Sequence, residues 1–374
     1  MPEARLATAK GQGRKLAVRL SRRQFGSVAA GAGAAVTQLH PGLSRASANE
    51  FRSLVAIELA GGNDGWNMVV PIGSAYAAYA EGRGRALAVP RDRLVGLAGS
   101  GFGLHPAMAA LADIWQRGDL ALVLNAGPLA LPLTKSLYLR RPDLRPPRAL
   151  LHDGAATLWE GAVAWLDSTR VAARVDERVD AHFPAAVRAT SIGRQLRDAA
   201  QTLIASVAQG LPRQNLRVRH DGYDLHGEQV AAGDPAAGRH AALLSELTSA
   251  LVAFDGAMRA FGLGDQVTCF TLSDFGRAFR GNWERGTEHG WGNVQLVLGG
   301  AVARHGVHGT YPDVTPGGPD DVVGDGRFIP ALSLEEYLAP LARWYGHGRT
   351  DLSRHFANWS EWTDRRRTGI SLFA

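Results

Sequence analysis

With one cysteine, Cys269, in 374 residues, the chain cannot form an intramolecular disulfide. For an exported protein that fits a fold completed in the cytoplasm. Long apolar runs are scarce too: nothing after the N-terminal leader approaches a membrane-spanning length, so no integral membrane segment is expected in the mature chain. There is no Ser/Pro-rich linker and no repeat, which leaves residues 49–374 as one large α/β domain with a sizeable core. The mature chain also has no excess of positive charge. Residues 1–48 hold two lysines, six arginines and one glutamate, a net +7, so of the formal +6 for the whole chain the remainder carries −1. The high pI belongs to the leader, and no nucleic-acid partner is implied.

The leader has its own grammar. Arg22-Arg23 stand just ahead of a weakly apolar, Gly/Ala-rich run from Gly26 to Val36, and Ala46-Ser47-Ala48 supplies the small residues a signal peptidase accepts. Together these features read as a twin-arginine signal over residues 1–48, with the twin-arginine translocase as partner during export and a periplasmic or secreted destination. A basic arm for nucleic acid or membrane is the alternative, but it leaves the A-x-A site unexplained.

The mature chain is organised around its strand ends. Leu54 to Leu59 is apolar, partly β-branched and of strand length, and it breaks into Gly61-Gly62-Asn63-Asp64-Gly65. A carboxylate at the carboxyl edge of a buried strand is where open α/β sheets assemble their sites, so Asp64 is a candidate; a tight turn is the alternative. Leu120–Asn125 reads as a second buried strand and Val267–Leu272 as a third, the latter running into Ser273-Asp274. Helical spacing predicts helices over Pro106–Gln116, Ser191–Val207 and Arg239–Phe261, and the stripe Leu243, Leu247, Leu251, Phe254, Met258, Phe261 of the last is core. From Leu129 to Leu150 the chain is rich in Pro, Leu and Arg without a period, which suggests a lid or a site wall. Ala155 to Glu160 reads as a short helix, with Trp159 and Trp165 packing nearby.

Two stretches join acids to imidazoles. In Tyr223-Asp224-Leu225-His226, an extended backbone would point Asp224 and His226 to the same side, a pairing that suits a hard or borderline divalent metal. The alternative is a polar turn in which Asp224 caps the next helix. Gly286-Thr287-Glu288-His289-Gly290-Trp291-Gly292 offers an oxygen and a nitrogen donor among glycines that let a ligand approach, or else it is a plain Gly-rich surface loop.

Five segments carry a family resemblance: AGGNDGWNMVVP (Ala60 to Pro71), GFGLHPAMAAL (Gly101 to Leu111), DGYDLHGEQ (Asp221 to Gln229), TLSDFGRAF (Thr271 to Phe279) and GTEHGWG (Gly286 to Gly292). In these the chain resembles the bacterial secreted proteins grouped as domain-of-unknown-function family 1501, which are similar to the alkaline phosphatase and sulfatase superfamily. The resemblance implies a doubly wound α/β sandwich with a mostly parallel sheet. It also implies one or two divalent ions held at strand ends around a phosphate or sulfate ester. Carried over, the metal ligands are Asp64, Asp224, His226, Asp274, Glu288 and His289. Asp274 stands where the family usually has Glu, and Glu288-His289 where it usually has Asp-His. Leu225 and Leu151 depart from the pattern: the family often has Thr at the former and tends to have Ser at the latter, and Leu151 cannot attack an ester. Within the Leu151-His152-Asp153-Gly154 segment, His152 is the candidate catalytic residue.

The expected function is an exported, metal-dependent hydrolase-like protein acting on phosphate or sulfate esters, of small molecules or glycans. The residues do not distinguish zinc, manganese, calcium and magnesium. The alternatives are a catalytically degenerate pseudoenzyme that binds an envelope partner, and a protein whose metal is purely structural.

Overall fold

The computed structural model describes residues 51–145, 152, 176–302, 306–363 and 370–373. The leader, Leu151, the expected helix Ala155–Glu160, Trp159, Trp165 and the basic run Arg365–Arg367 lie outside the described residues. The strands, in chain order, are β1 (Arg52–Ala60), β2 (Val69–Pro71), β3 (Val95–Gly96), β4 (Phe102–Leu104), β5 (Leu120–Gly127) and β6 (Arg213–Asp221). They continue as β7 (Val267–Ser273), β8 (Gly276–Gly281), β9 (Thr287–Gly290), β10 (Asn293–Leu298), β11 (Gly306–Gly309) and β12 (Leu332–Ser333).

The central sheet has seven strands in the order β11-β5-β10-β7-β1-β6, with β12 beside β5. β1 is parallel to both β6 and β7, and β5 is parallel to β11 and β12, while β10 alone runs antiparallel between β5 and β7. The sheet is thus mostly parallel, and the ends of β6, β1 and β7 lie together, with Ala60 opposite Asp221 and Leu59 opposite Ser273. Side chains of β1 alternate between its faces as a strand requires. Val55, Ile57 and Leu59 enter one apolar cluster with Leu196, Leu203, Leu247 and Leu251, whereas Leu54 and Ala56 enter a second with Tyr337, Leu338 and Leu341. Helices Ser191–Ala208 and Arg239–Ala260 therefore cover one face and Leu334–Tyr345 the other. Burial on both faces explains why β1 and β7 read as continuous apolar runs.

Helix starts follow local chemistry. Thr190 accepts from the Gly193 amide at the start of Ser191–Ala208, and Ser333 with Glu336 forms a reciprocal capping box on Leu334–Tyr345. The expected helix Pro106–Gln116 divides into a short 3-10 turn, Pro106–Met108, and a helix, Leu111–Gln116. The Leu129–Leu150 stretch contains a helix, Lys135–Arg140, capped by Thr134. Helix Arg239–Ala260 is, contrary to expectation, long and apolar enough by length and composition to cross a membrane. Its Leu244, Leu247, Leu251, Phe254 and Met258 are instead buried in the core.

Beyond the sheet, β8 and β9 form an antiparallel hairpin. Because β8 follows β7 after two residues, the hairpin is carried at the same edge as Asp274. Its second strand removes the alternative of a plain surface loop over Gly286–Gly292: Thr287–Gly290 is a strand.

Candidate functional site

The cluster assembles from three chain segments at the carboxyl ends of β6 and β7 and on the hairpin, with His152 as a fourth member. Past Asp221 the chain turns at Gly222, and Asp224 and His226 then face the same place, with His226 Nε2 3.1 Å from Asp224 Oδ1. The helix-capping alternative for Asp224 does not hold, since the next helix begins at Arg239 after Gly238 with no side-chain cap. From β9, His289 Nε2 lies 3.0 Å from His226 Nε2 and 3.4 Å from Asp224 Oδ1. His152 Nε2 lies 3.3 Å from the other oxygen of Asp224. Ligand atoms of His152, Asp224 and His289 all fall within 4.8 Å of one another.

Two carboxylates stand behind this group. Asp274 Oδ2 is 2.9 Å from His152 Nδ1, and Glu288 Oε2 is 3.0 Å from His226 Nδ1. A carboxylate at Nδ1 favours the proton there and leaves the Nε2 lone pair facing the centre, as around metal-bound histidines. Asp274 also accepts from the Gly61 amide at 3.2 Å, and Glu288 accepts from Asn282 at 2.9 Å. The bond from Asn282 is the leading reason the Glu288 carboxyl is held below its ordinary range, with His226 and Arg277 adding to it against the cost of burial. The ring of Phe275 packs on His289 and His152, at centroid distances of 4.1 and 4.9 Å, and walls one side. Asp224, His226, Glu288 and His152 are all partly open to solvent, with side-chain exposures of 41–48%.

The structure therefore sorts the expected residues into three groups. Asp224, His226 and His289 converge, and His152, expected as a catalytic group, joins them. Asp274 and Glu288, expected as ligands, sit one contact further out and orient imidazoles. Asp64 does not join the cluster. It is buried at 2% exposure, pairs with Arg83 and accepts from Gln229 at 2.5 Å. Burial works against its ionised form, but Arg83, His240 and Gln229 outweigh that and hold its carboxyl below the usual range. The tight-turn alternative gives way to a short helix, Gly65–Met68, whose first turn is closed by the Asp64 carbonyl accepting from the amides of Asn67 and Met68.

Sequence reasoning assigned no role to two arginines. Arg83, fully buried, donates to Asp64, Asn67 and the carbonyls of Ala278 and Phe279. Arg277, 1% exposed, donates to Asp224 and to four backbone carbonyls. Its hydrogen bond and charge are what hold the Asp224 carboxyl below its usual range, over the opposing effect of burial. The one available signal was an arginine inside a short strand, β8, whose neighbours are apolar.

The donor set fits a divalent cation on two counts. For an ion about 2.1 Å from each ligand, neighbouring ligand atoms are about 3.0 Å apart in an octahedron and about 3.4 Å apart in a tetrahedron. The three separations among His226, His289 and Asp224, at 3.0, 3.1 and 3.4 Å, match such edges. Three carboxylates (Asp224, Asp274, Glu288) against one guanidinium (Arg277) also leave two negative charges, the amount one divalent ion balances.

No curated protein matches the chain. Residues 146–324, a span that holds all six residues of the cluster and Arg277, match the family described as Protein of unknown function (DUF1501).

Proposed function

We propose that this chain is an exported, divalent-metal-dependent hydrolase-like protein with an alkaline-phosphatase-like α/β fold, acting on phosphate or sulfate esters. The observation that carries the reading is the convergence of Asp224, His226, His289 and His152, with two of the imidazoles braced at Nδ1 by a carboxylate. Asp224, His226 and His289 would hold the ion, with His152 at its border. A bound divalent ion would supply Lewis-acid polarisation of an ester oxygen. His152, with Nδ1 on Asp274 and its side chain 45% exposed, would exchange a proton with a leaving oxygen at Nε2. Solvent access to the cluster admits a small-molecule or glycan ester.

The test has two steps. Protein purified without chelator is expected to contain a divalent metal by elemental analysis, and the stripped protein to gain thermal stability when metal is restored. Metal-loaded protein is then assayed on chromogenic phosphate and sulfate esters. Absence of metal together with an unmoved melting temperature would sink the site.

One observation favours a second reading, a degenerate pseudoenzyme that binds an envelope partner. Asp224 Oδ1, which two imidazoles also face, already accepts from Arg277, and that weakens it as a ligand. Metal binding without turnover on any ester supports this second reading; turnover removes it.

Export rests on Arg22-Arg23 and Ala46-Ser47-Ala48. Replacing both arginines by lysine is expected to stop periplasmic delivery, and an undiminished periplasmic yield would refute the twin-arginine route.

A further inference from the structure

Arg277 is the group on which the separate pieces of the cluster meet. Its Nε donates to the Gly62 carbonyl at 2.7 Å, Nη1 to the Thr287 carbonyl at 3.0 Å, and Nη2 to the carbonyls of Gly61 at 2.5 Å and Tyr223 at 3.0 Å. Nη2 also donates to Asp224 Oδ1. One planar fork thus ties the turn after β1, the segment that carries Asp224 and His226, and the strand that carries Glu288 and His289. The pieces are closely apposed: a Cβ on Gly61 would meet the Asp224 amide at 2.4 Å, and one on Gly286 would meet the His226 carbonyl at 2.1 Å. The Thr287 amide donates to the Leu225 carbonyl at 3.1 Å, which stitches the same two segments together. The guanidinium also lies 5.7 Å from the Phe275 ring centre, and that ring backs His289 and His152.

Asp224 and the two carboxylates behind the imidazoles, Asp274 and Glu288, repel one another, so without a cation they would draw the segments apart. A buried guanidinium fixed by four carbonyls opposes this from behind Asp224, because it brings positive charge whose place does not depend on metal. Lysine could supply the charge but not the planar set of five donors.

We propose that Arg277 is a positioning residue that presets the cation site: it holds the 223–226 and 287–289 segments in their ligand-bearing arrangement before any metal arrives. This rests on the metal-site reading above. Groups that orient ligands from behind typically change metal affinity by about 10–100-fold when altered.

The test compares Arg277→Lys with Arg83→Lys, an equally buried arginine whose carboxylate partner, Asp64, lies outside the cluster. Divalent zinc and manganese affinities are measured by calorimetry on chelator-stripped protein whose fold is checked by near-ultraviolet circular dichroism. Arg277→Lys is expected to bind metal at least tenfold more weakly, and Arg83→Lys to bind as wild type does even if its melting temperature falls. Should Arg277→Lys lower the melting temperature yet leave both affinities within twofold of wild type, the residue is merely structural and the proposal is overturned.

Hydrogen exchange on the wild-type protein covers the case in which Arg277→Lys does not fold. Amides of residues 223–226 and 287–289 are expected to be protected already in the metal-free protein and to change little when metal is added. A large gain of protection on metal addition means the ion orders them, which overturns the proposal. If wild type binds no divalent ion, the metal-site reading fails on its own. Positioning is then read from metal-free protein, where loss of protection in Arg277→Lys upholds it and unchanged protection refutes it.

Discussion

Two aspartate–arginine pairs sit near the same sheet edge and do opposite jobs. In the Asp64–Arg83 pair both side chains are buried, at 2% and 0% exposure, and the carboxylate faces Gln229 within a network that continues through Asn67 and Tyr79. In the Asp224–Arg277 pair the arginine is equally buried but the aspartate is 45% exposed and faces three imidazoles. A carboxylate enclosed with its guanidinium has its charge settled within the fold. One whose guanidinium stands behind it, with imidazoles and solvent in front, would keep capacity for a ligand under the metal-site reading.

The sharpest way to break this comparison is to truncate each aspartate. Asp64→Ala leaves Arg83 charged and buried without its partner and is expected to cost about 3–5 kcal/mol of stability. Asp224→Ala removes a part-exposed group and leaves Arg277 held by four backbone carbonyls, so it should cost far less. Chemical denaturation of both variants in the metal-free state checks the order, and equal losses would mean that the two pairs play the same structural part.

Metal separates the pairs in the other direction. At a hundredfold excess over its dissociation constant, an ion that binds only the native state stabilises it by about 2.7 kcal/mol. His289→Ala is expected to abolish most of that gain while barely changing metal-free stability. Asp64→Ala, if it can be purified folded, should keep the gain intact. Thermal shifts with and without metal read both.

Acid probes the buried region as well. His240, whose Nε2 is 3.0 Å from Asn63 Oδ1, is enclosed, and burial first, then Arg83 and Arg277, push its pKa down to about 4 against the pull of Asp64. His105 is likewise pushed down to about 3, chiefly by burial and then by His240 and Arg93. In both, the folded pKa is below the unfolded one. Their contribution is complete above the unfolded value of about 6.5 and is lost as pH falls toward the folded values, at up to about 1.4 kcal/mol per pH unit for each histidine. Stability is expected to fall from pH 6.5 to pH 4, and His240→Gln, which retains a donor for Asn63, should remove one of the two contributions. An unchanged slope in that variant would place the acid sensitivity elsewhere.

Much of the fold was legible because strands buried on both faces are written as apolar runs. β1, β5 and β7 and the two long helices lie where those runs and the helical stripe put them. Asp224 and His226 were legible through their two-residue spacing, and Glu288 and His289 through their proximity in a glycine-rich stretch. His152 was named from the family resemblance alone, since its segment carries no local signal. The strand-end rule selected Asp64 and Asp274 with equal force, and only Asp274 reached the cluster, because the chain 19 residues beyond Asp64 brings back Arg83.

By itself, then, the sequence determined the buried strands, the two long helices and the set of candidate acids and imidazoles, since these follow from spacing and side-chain chemistry along a short stretch. Only the tertiary structure decided which of them meet, which stand behind an imidazole and which is neutralised inside. Those outcomes depend on Arg83 and Arg277, whose hydrogen bonds to the site span up to 216 residues of chain, as between Arg277 and Gly61. A guanidinium's partner is set by where the fold carries it, and no local pattern records that position.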